Sequence, residues 1–268
     1  MSGDSTGATI VEERADARAP QRVRHEPRRR TLNVQRVEHL SPHMKRIVLG
    51  GDLEGFKSLG FDDHVKLHFP DGTTNAEGAP NTVSRDFTPR HYDPAAQTLL
   101  IDFAIHDAGP ATYWASQAKA GDTLAIGGPR GSFVIPFAFD WHLLIGDETA
   151  LPAIGRRLAE FPAGTRAVVI GEVDDKSEEL VFDTEADVTV TWVHRNGAAA
   201  GTTDGLLKAL AAQKLPSGDY YAWAACESLI AKALRRQLIA DHHANPKWIR
   251  AAGYWRTGTA AVHEVHQD

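Results

Sequence analysis

The chain has 268 residues, of which 42% are hydrophobic and 24% are charged, and such a composition is typical of a folded globular protein. This length is enough for two domains of ordinary size, each with its own buried core. The net charge of -6 argues against nucleic acid as a partner, because neutralising phosphates requires a basic surface.

Residues 1–30 are interpreted as a disordered, basic leader that is solvated. Its arginines between residues 22 and 30 are accompanied by acidic residues, among them Glu12, Glu13, Asp16 and Glu26. A mixture of both signs is typical of a solvated segment rather than of an arm that binds nucleic acid or lipid. We therefore assign no function to this leader.

From residue 31 to about residue 136, short runs that alternate apolar and polar residues are separated by Gly, Pro, Asp and Asn. This pattern is typical of an antiparallel barrel or sandwich. One helix is predicted at residues 110–118, where proline in the first turn costs no hydrogen bond. The predicted strands are 31–37, 45–49, 64–69, 82–91, 98–106, 123–126 and 132–135.

After residue 136 the pattern changes to strands that alternate with helices. The intervening segments carry apolar residues at helical spacing, as at Leu151, Ile154 and Leu158. This order predicts a parallel sheet covered by helices, with the domain boundary between residues 136 and 141. The predicted strands are 141–145, 167–171, 188–194, 220–225 and 248–252.

Three segments of the first half could bind a ligand that carries phosphate. On an extended strand, Arg85 and Phe87 point to the same side, so a guanidinium and an aromatic ring could meet one ligand, beside the hydroxyl of Thr88. The segment from His106 to Thr112 ends a strand and begins a helix, whose free N–H groups attract an anion. Arg130 lies in a third, glycine-rich turn. Taken locally, however, Phe87 fits a core position better, and turn formation alone explains the glycines.

The turn after the first strand of the parallel sheet is where such sheets usually bind ligands. Here it begins at Gly146 and contains Asp147, Glu148 and Thr149, without the glycine pattern of a tight dinucleotide site. Two carboxylates would repel a pyrophosphate held close to the backbone. Weak or transient nucleotide binding and simple capping of the helix by Asp147 and Thr149 both stay open.

Taken together and in this order, these segments resemble the siderophore-interacting protein family, which consists of FAD-dependent ferric-siderophore reductases related to ferredoxin reductases. The resemblance extends from about Arg30 to Gly258. Its most specific pieces are residues 146–154 (GDETALPAI), 192–195 (WVHR) and 253–258 (GYWRTG).

The resemblance implies a ferredoxin-reductase-like fold, with an FAD-binding antiparallel β-barrel over residues 31–138 and an NAD(P)H-binding α/β domain over residues 139–268. It implies an enzyme that passes electrons from NADPH or NADH through FAD to a ferric siderophore, releasing iron(II) for assimilation. Ferredoxin is an alternative donor. Two other functions compete with this one: a flavin reductase that serves another acceptor, and a siderophore-binding module without turnover.

The resemblance also assigns site residues. Arg85, Phe87 and Thr88 match a flavin motif, Arg-x-Tyr-Thr, in which Phe87 replaces the tyrosine and removes its phenol. The implied cofactor-binding residues are Arg85, Phe87, Thr88, His106, Gly109, Pro110, Ala111, Thr112, Gly146, Asp147, Glu148, Thr149 and Trp255. For an anionic ferric siderophore, the candidate basic residues are Lys45, Arg46, Arg130, Lys247, Arg250 and Arg256.

No protein acid, base or nucleophile is required for this chemistry, and we name no catalytic residue and no metal ligand. The one cysteine of the chain, Cys226, cannot form an internal disulfide, and no apolar run approaches the length of about 18 residues that spans a membrane. We therefore expect a cytoplasmic protein without a membrane partner. NADH against NADPH, the siderophore class and the oligomeric state stay open.

Overall fold

The computed structural model describes residues 17–78, 80–106, 109–259 and 264–266. These residues form two large sheets, one antiparallel and one mainly parallel, together with a two-stranded ribbon. Within these ranges, no helix is both long and apolar enough to cross a membrane.

The antiparallel sheet comes from the first half of the chain, in the strand order β5-β4-β8-β2-β3-β7-β6. In β4, Val65, Leu67 and Phe69 are fully buried, whereas the side chains between them are partly exposed, so the alternation in the sequence places one face in the core. All seven segments predicted as strands here form strands. The bounds are β2 Arg29–Ser41, β3 Met44–Gly50, β4 Val65–Thr74, β5 Pro80–Phe87, β6 His91–Asp93, β7 Thr98–Ala104, β8 Thr123–Gly127 and β9 Gly131–Val134.

The ribbon corrects the prediction of a disordered leader for residues 17–30. Strand β1, Gln21–Arg24, pairs antiparallel with β9, so that Arg24 lies opposite Gly131. The buried Arg18 donates to Asp219 at 2.6 Å and lies over the ring of Trp248. A short polar strand has no hydrophobic periodicity, so it is recognisable only from its partners. Residues 1–16 lie outside the described part of the chain.

The second sheet has the order β12-β11-β10-β13-β14-β15, in which only β15 is antiparallel to its neighbour. The strand order reverses at β10, which pairs with β11 on one side and β13 on the other. Ligands of open α/β sheets bind beyond the carboxyl ends of the strands at such a reversal. The bounds are β10 Trp141–Gly146, β11 Arg166–Val173, β12 Asp187–His194, β13 Tyr220–Glu227, β14 Ile249–Trp255 and β15 Glu264–His266.

Four helices with described bounds accompany the sheets: α1 Pro110–Gln117 in the first half, and α2 Leu151–Glu160, α3 Gly205–Ala212 and α4 Ser228–Ala240 in the second. Helix α2 joins the two halves. Its buried Arg156 donates to the Ser58 hydroxyl at 2.7 Å and to the carbonyl oxygens of Ser58 and Pro89, both at 2.9 Å. Arg157 donates to Ile135 O at 3.1 Å and lies over three phenylalanine rings. These contacts fix the orientation of the halves around the site.

Candidate functional site

A cleft of about 370 Å³ lies between the antiparallel sheet and the carboxyl ends of the parallel strands. It brings together segments that are far apart in the sequence: the end of β5, the start of α1, the turn after β10 and the end of β14. Of the predicted cofactor residues, the following line it: Arg85, Phe87, Thr88, His106, Gly109, Pro110, Ala111, Thr112, Glu148, Thr149 and Trp255.

The end of β5 provides one wall of the cleft. Arg85 and Phe87 are both half-buried, as expected for alternate positions of one strand. The Phe87 ring packs against Phe103, with the ring centroids 4.5 Å apart, so it is both a cleft residue and a core residue. Thr88 is buried, and its side chain hydrogen-bonds to Tyr254, which ties β5 to the end of β14.

The start of helix α1 faces the cleft from the same half. Gly109 has a φ of 125°, which glycine adopts without strain, and Pro110 opens the helix. Among the described residues, no side chain caps this end. The Ala111 and Thr112 N–H groups lie in the first turn, where the positive end of the helix dipole favours an anion.

Asp147 does not line the cleft; it is 3% exposed and positions groups that do. Its Oδ1 accepts from the Thr149 hydroxyl at 2.5 Å and from the Thr149 N–H at 3.0 Å, and its Oδ2 accepts from Trp255 Nε1 at 2.8 Å. Burial, and then the neighbouring charge of Glu148, raise the pKa of Asp147 to about 7. Asp147 thus holds Thr149 and Trp255, which line the cleft, and its predicted role in cofactor binding stays a prediction.

Gly146 is also buried behind the cleft. A Cβ at this position would lie 2.4 Å from the Ala150 Cβ and 2.8 Å from the Ala225 carbonyl oxygen. The glycine is thus required for close packing of β10 against β13 and the start of α2. Gly146 does not line the cleft, and its predicted contact with a cofactor stays a prediction.

A second cavity, of about 550 Å³, lies at the carboxyl ends of β11 and β12. It shares His106, Glu148, Thr149 and Trp255 with the cleft, so the two spaces adjoin. A ligand in the cleft and a ligand in the second cavity would therefore lie close to each other.

Arg195 lies on the wall of this second cavity and was given no role from the sequence. Its guanidinium binds both carboxylate oxygens of Glu148, with Nη1 at 2.7 Å from Oε2, and lies 3.6 Å from Glu172. Burial raises the pKa of Glu172, and Arg195 opposes that rise. Its place directly after β12, within the WVHR segment, was the signal that could have identified it.

The six predicted substrate-binding residues are not brought together. Arg256 lines the cleft, whereas Arg46 is bound by both oxygens of Asp102 at 2.7 and 2.8 Å. Arg250 donates to Asp62 at 2.6 Å and is largely buried. Asp102 and Asp62 thus neutralise two of the six charges within the fold, which leaves Arg46 and Arg250 fewer donors for an anionic ligand.

The other three of these residues lie elsewhere. Lys45 donates to the carbonyl oxygen of Ser116, at the last turn of α1, at 2.9 Å. Arg130 and Lys247 are exposed, and neither lines the cleft or the second cavity. Of the six, Arg256 is thus the side chain placed to meet a ligand in the cleft.

Comparison with protein-family models gives two matches that together span most of the chain. Residues 33–133 match a siderophore-interacting FAD-binding domain, and residues 139–258 match a siderophore-interacting protein model. The NADPH-dependent ferric-chelate reductase of Escherichia coli K12 is 38% identical over 254 residues, which cover 89% of this chain and 97% of that protein.

Comparison with solved structures gives the same grouping. A siderophore utilization protein from T. fusca has a TM-score of 0.84 and 37% identity, and the match covers 91% of this chain and 98% of that one. A ferredoxin NADP+ reductase from Neisseria gonorrhoeae with bound FAD and NADP has a TM-score of 0.56 at 13% identity, over 85% of this chain and 99% of that one. The second likeness concerns the fold, which is ferredoxin-reductase-like, as predicted.

Proposed function

Because this chain belongs to the siderophore-interacting protein family, we propose that it is an FAD-dependent ferric-siderophore reductase. It takes electrons from NADPH or NADH and delivers them to iron(III) held by a siderophore, which releases iron(II). The observation that carries this proposal is the cleft, where the end of β5, the start of α1 and Trp255 face one space in a chain 38% identical to a ferric-chelate reductase.

The residues of the cleft fit FAD. The start of α1 offers backbone N–H groups that no described side chain caps to a phosphate, and Arg85, whose Nη1 donates to the Ser84 carbonyl oxygen at 2.9 Å, can bind a phosphate with its remaining donors. Phe87 and Trp255 offer aromatic surfaces to a planar ring system. When bound, FAD supplies the conversion between a two-electron hydride donor and a one-electron metal acceptor.

The role of the protein is to bind and to separate the reactants. Arg256 is partly exposed at the cleft and attracts an anionic ferric siderophore. Iron(III) is a hard ion held tightly by oxygen ligands, and iron(II) is held less tightly, so reduction releases the metal. No described side chain is assigned a proton transfer in this scheme.

We place the nicotinamide nucleotide in the second cavity, against the shared wall formed by Glu148, Thr149 and Trp255. Arg195 binds Glu148 on the wall of this cavity, so Asp174 and Glu178 are the carboxylates that oppose entry of a diphosphate and favour the uncharged or cationic nicotinamide end. Ferredoxin is the alternative donor.

We place the reaction in the cytoplasm, where the one cysteine, Cys226, and a nucleotide donor are both in keeping with a reducing compartment.

The test is a spectroscopic cycle without oxygen. The purified, FAD-loaded protein is expected to bleach on addition of NADPH or NADH and to regain its flavin absorbance on addition of a ferric hydroxamate or catecholate, with iron(II) captured by a chelator. Bleaching by reduced ferredoxin alone would identify the other donor. Reoxidation by other acceptors but not by ferric siderophores would contradict the proposal and favour a general flavin reductase.

The flavin site is tested separately by substitution of Arg85. Arg85→Gln is expected to weaken FAD binding about tenfold, because one charge-assisted contact is lost, and Arg85→Lys should recover part of it. Arg36→Gln, at an exposed residue that pairs with Glu38, is the matched control. Equal FAD affinity in all variants would remove Arg85 from the site.

A further inference from the structure

A third cavity, of about 220 Å³, lies where the connection from β1 to β2 meets the loop before β4 and the turn after β8. Its walls include three arginines, a lysine and a histidine: Arg24, Arg28, Arg30, Lys57 and His25. None of its lining residues lines the cleft or the second cavity. It is therefore a separate space, and no role in electron transfer explains its charges.

The positive charges of this basic pocket are poorly compensated. Glu26 is the acidic residue of its lining, and it lies 3.8 Å from Arg28 with both side chains mostly exposed. Among the described residues, no carboxylate is within 4.0 Å of the charged groups of Arg24, Arg30 or Lys57. Burial, and then the like charge of Arg28, lower the pKa of Arg30, and the carboxylate of Asp52 opposes this lowering.

The backbone that carries these side chains is held in place. The His25 N–H donates to the Arg130 carbonyl oxygen at 3.0 Å, and the Gly128 N–H donates to the Arg28 carbonyl oxygen at 3.1 Å. The His25 ring lies 2.7 Å from the Ser132 hydroxyl, which in turn donates to the buried Asp63. The pocket is thus formed by paired chain segments rather than by a free tail.

Two of the guanidinium groups are themselves oriented. Arg30 donates from Nη2 to the Glu54 carbonyl oxygen at 2.8 Å and lies over the Phe56 ring. A Cβ at Gly55 would lie 3.6 Å from Arg28 Nη1, so this guanidinium rests against the same loop. Planar guanidinium groups match the oxygens of phosphates and carboxylates.

We propose that this pocket binds a small multivalent oxyanion, a phosphate or a polycarboxylate, at a site distinct from the flavin cleft. The volume admits a compact anion rather than a whole dinucleotide. The bound oxyanion neutralises Arg24, Arg28, Arg30 and Lys57 and stabilises the β1–β9 ribbon that carries Arg24. This binding is independent of the electron-transfer function proposed above.

Calorimetric titration of the FAD-loaded protein tests the site, with inorganic pyrophosphate as the phosphate probe, citrate as the polycarboxylate and acetate as the monovalent comparison. We expect saturable binding of pyrophosphate or citrate and none of acetate. The double substitution Arg24→Gln, Arg28→Gln is expected to weaken it at least about tenfold, because two charge-assisted contacts are lost. Arg166→Gln, at an exposed residue that starts β11, removes one charge far from the pocket and should leave it unchanged.

Each outcome decides the proposal. Absence of saturable binding by the natural protein, or equal binding by the double variant, overturns it. Binding by the FAD-free protein that disappears on loading with FAD would show that the pocket belongs to the cofactor, which also overturns a distinct site. Without anion, the double variant and the natural protein should have the same melting temperature. The weaker anion binding then comes from the pocket and not from a loss of the fold. None of these results depends on ferric reduction.

Discussion

Among single residues, Asp147 couples the fold at the cleft to pH. Its pKa is raised to about 7, from an ordinary value of 3.8, by burial and by Glu148. Between these two values the folded protein binds the proton more tightly than the unfolded chain does. The contribution of Asp147 to stability is therefore fully present below about pH 4, is lost as the pH rises to about 7, and is constant above it.

The substitution Asp147→Asn removes this titration and keeps the shape of the side chain. The free energy of unfolding of the natural protein minus that of the variant is expected to fall between pH 5 and 7, by at most about 1.4 kcal/mol per pH unit. Urea unfolding at several pH values measures it, with Asp204→Asn, at an exposed aspartate, as the control. A difference that does not change with pH would assign the titration to another group.

Among the elements, helix α2 is the connection on which the cleft depends. Arg156→Met removes donors to Ser58 and Pro89 and leaves their oxygens without these partners, so we expect a loss of about 3 kcal/mol in the free energy of unfolding and weaker FAD binding. Arg236→Met, at an exposed arginine of α4, is the matched control and should stay within about 0.5 kcal/mol. Urea titration and FAD titration check both effects. Equal losses in the two variants would remove the special role of α2.

The elements were largely predictable because their signals are local. The alternation in β4 and the helical spacing at Leu151, Ile154 and Leu158 follow from which face is buried, so each can be recognised within one segment. Strand β1 could not be recognised in this way, because it is held by pairing with β9, more than 100 residues later in the chain. The same holds for Arg250, whose partner Asp62 is 188 residues away.

At the scale of the whole molecule, one apolar core crosses the boundary between the halves. Met44 and Phe61 from the first half pack in the same cluster as Leu144, Leu151 and Trp223 from the second. We therefore expect a single unfolding transition, in which near-ultraviolet circular dichroism, tryptophan fluorescence and far-ultraviolet circular dichroism coincide. Two separated transitions would mean that the halves unfold independently and that this shared core contributes little.

The fold of the whole molecule also brings Arg85, Phe87 and Thr88 to the same cleft as the start of α1. Sequence resemblance identified these segments, but only the packing of the halves shows that Asp147 and Gly146 lie behind the cleft. Whether a carboxylate in a turn can touch a ligand or instead holds its neighbour depends on how deeply it is buried, which no local pattern encodes.

Trp255 lines the cleft and the second cavity at once, so ligands bound on its two sides would be in contact with the same residue. A molecule that shifts the ring from one side changes the room available on the other, and linkage requires that the influence be mutual. If FAD fills the cleft and the nicotinamide nucleotide fills the second cavity, as proposed, the affinity measured for one depends on whether the other is bound.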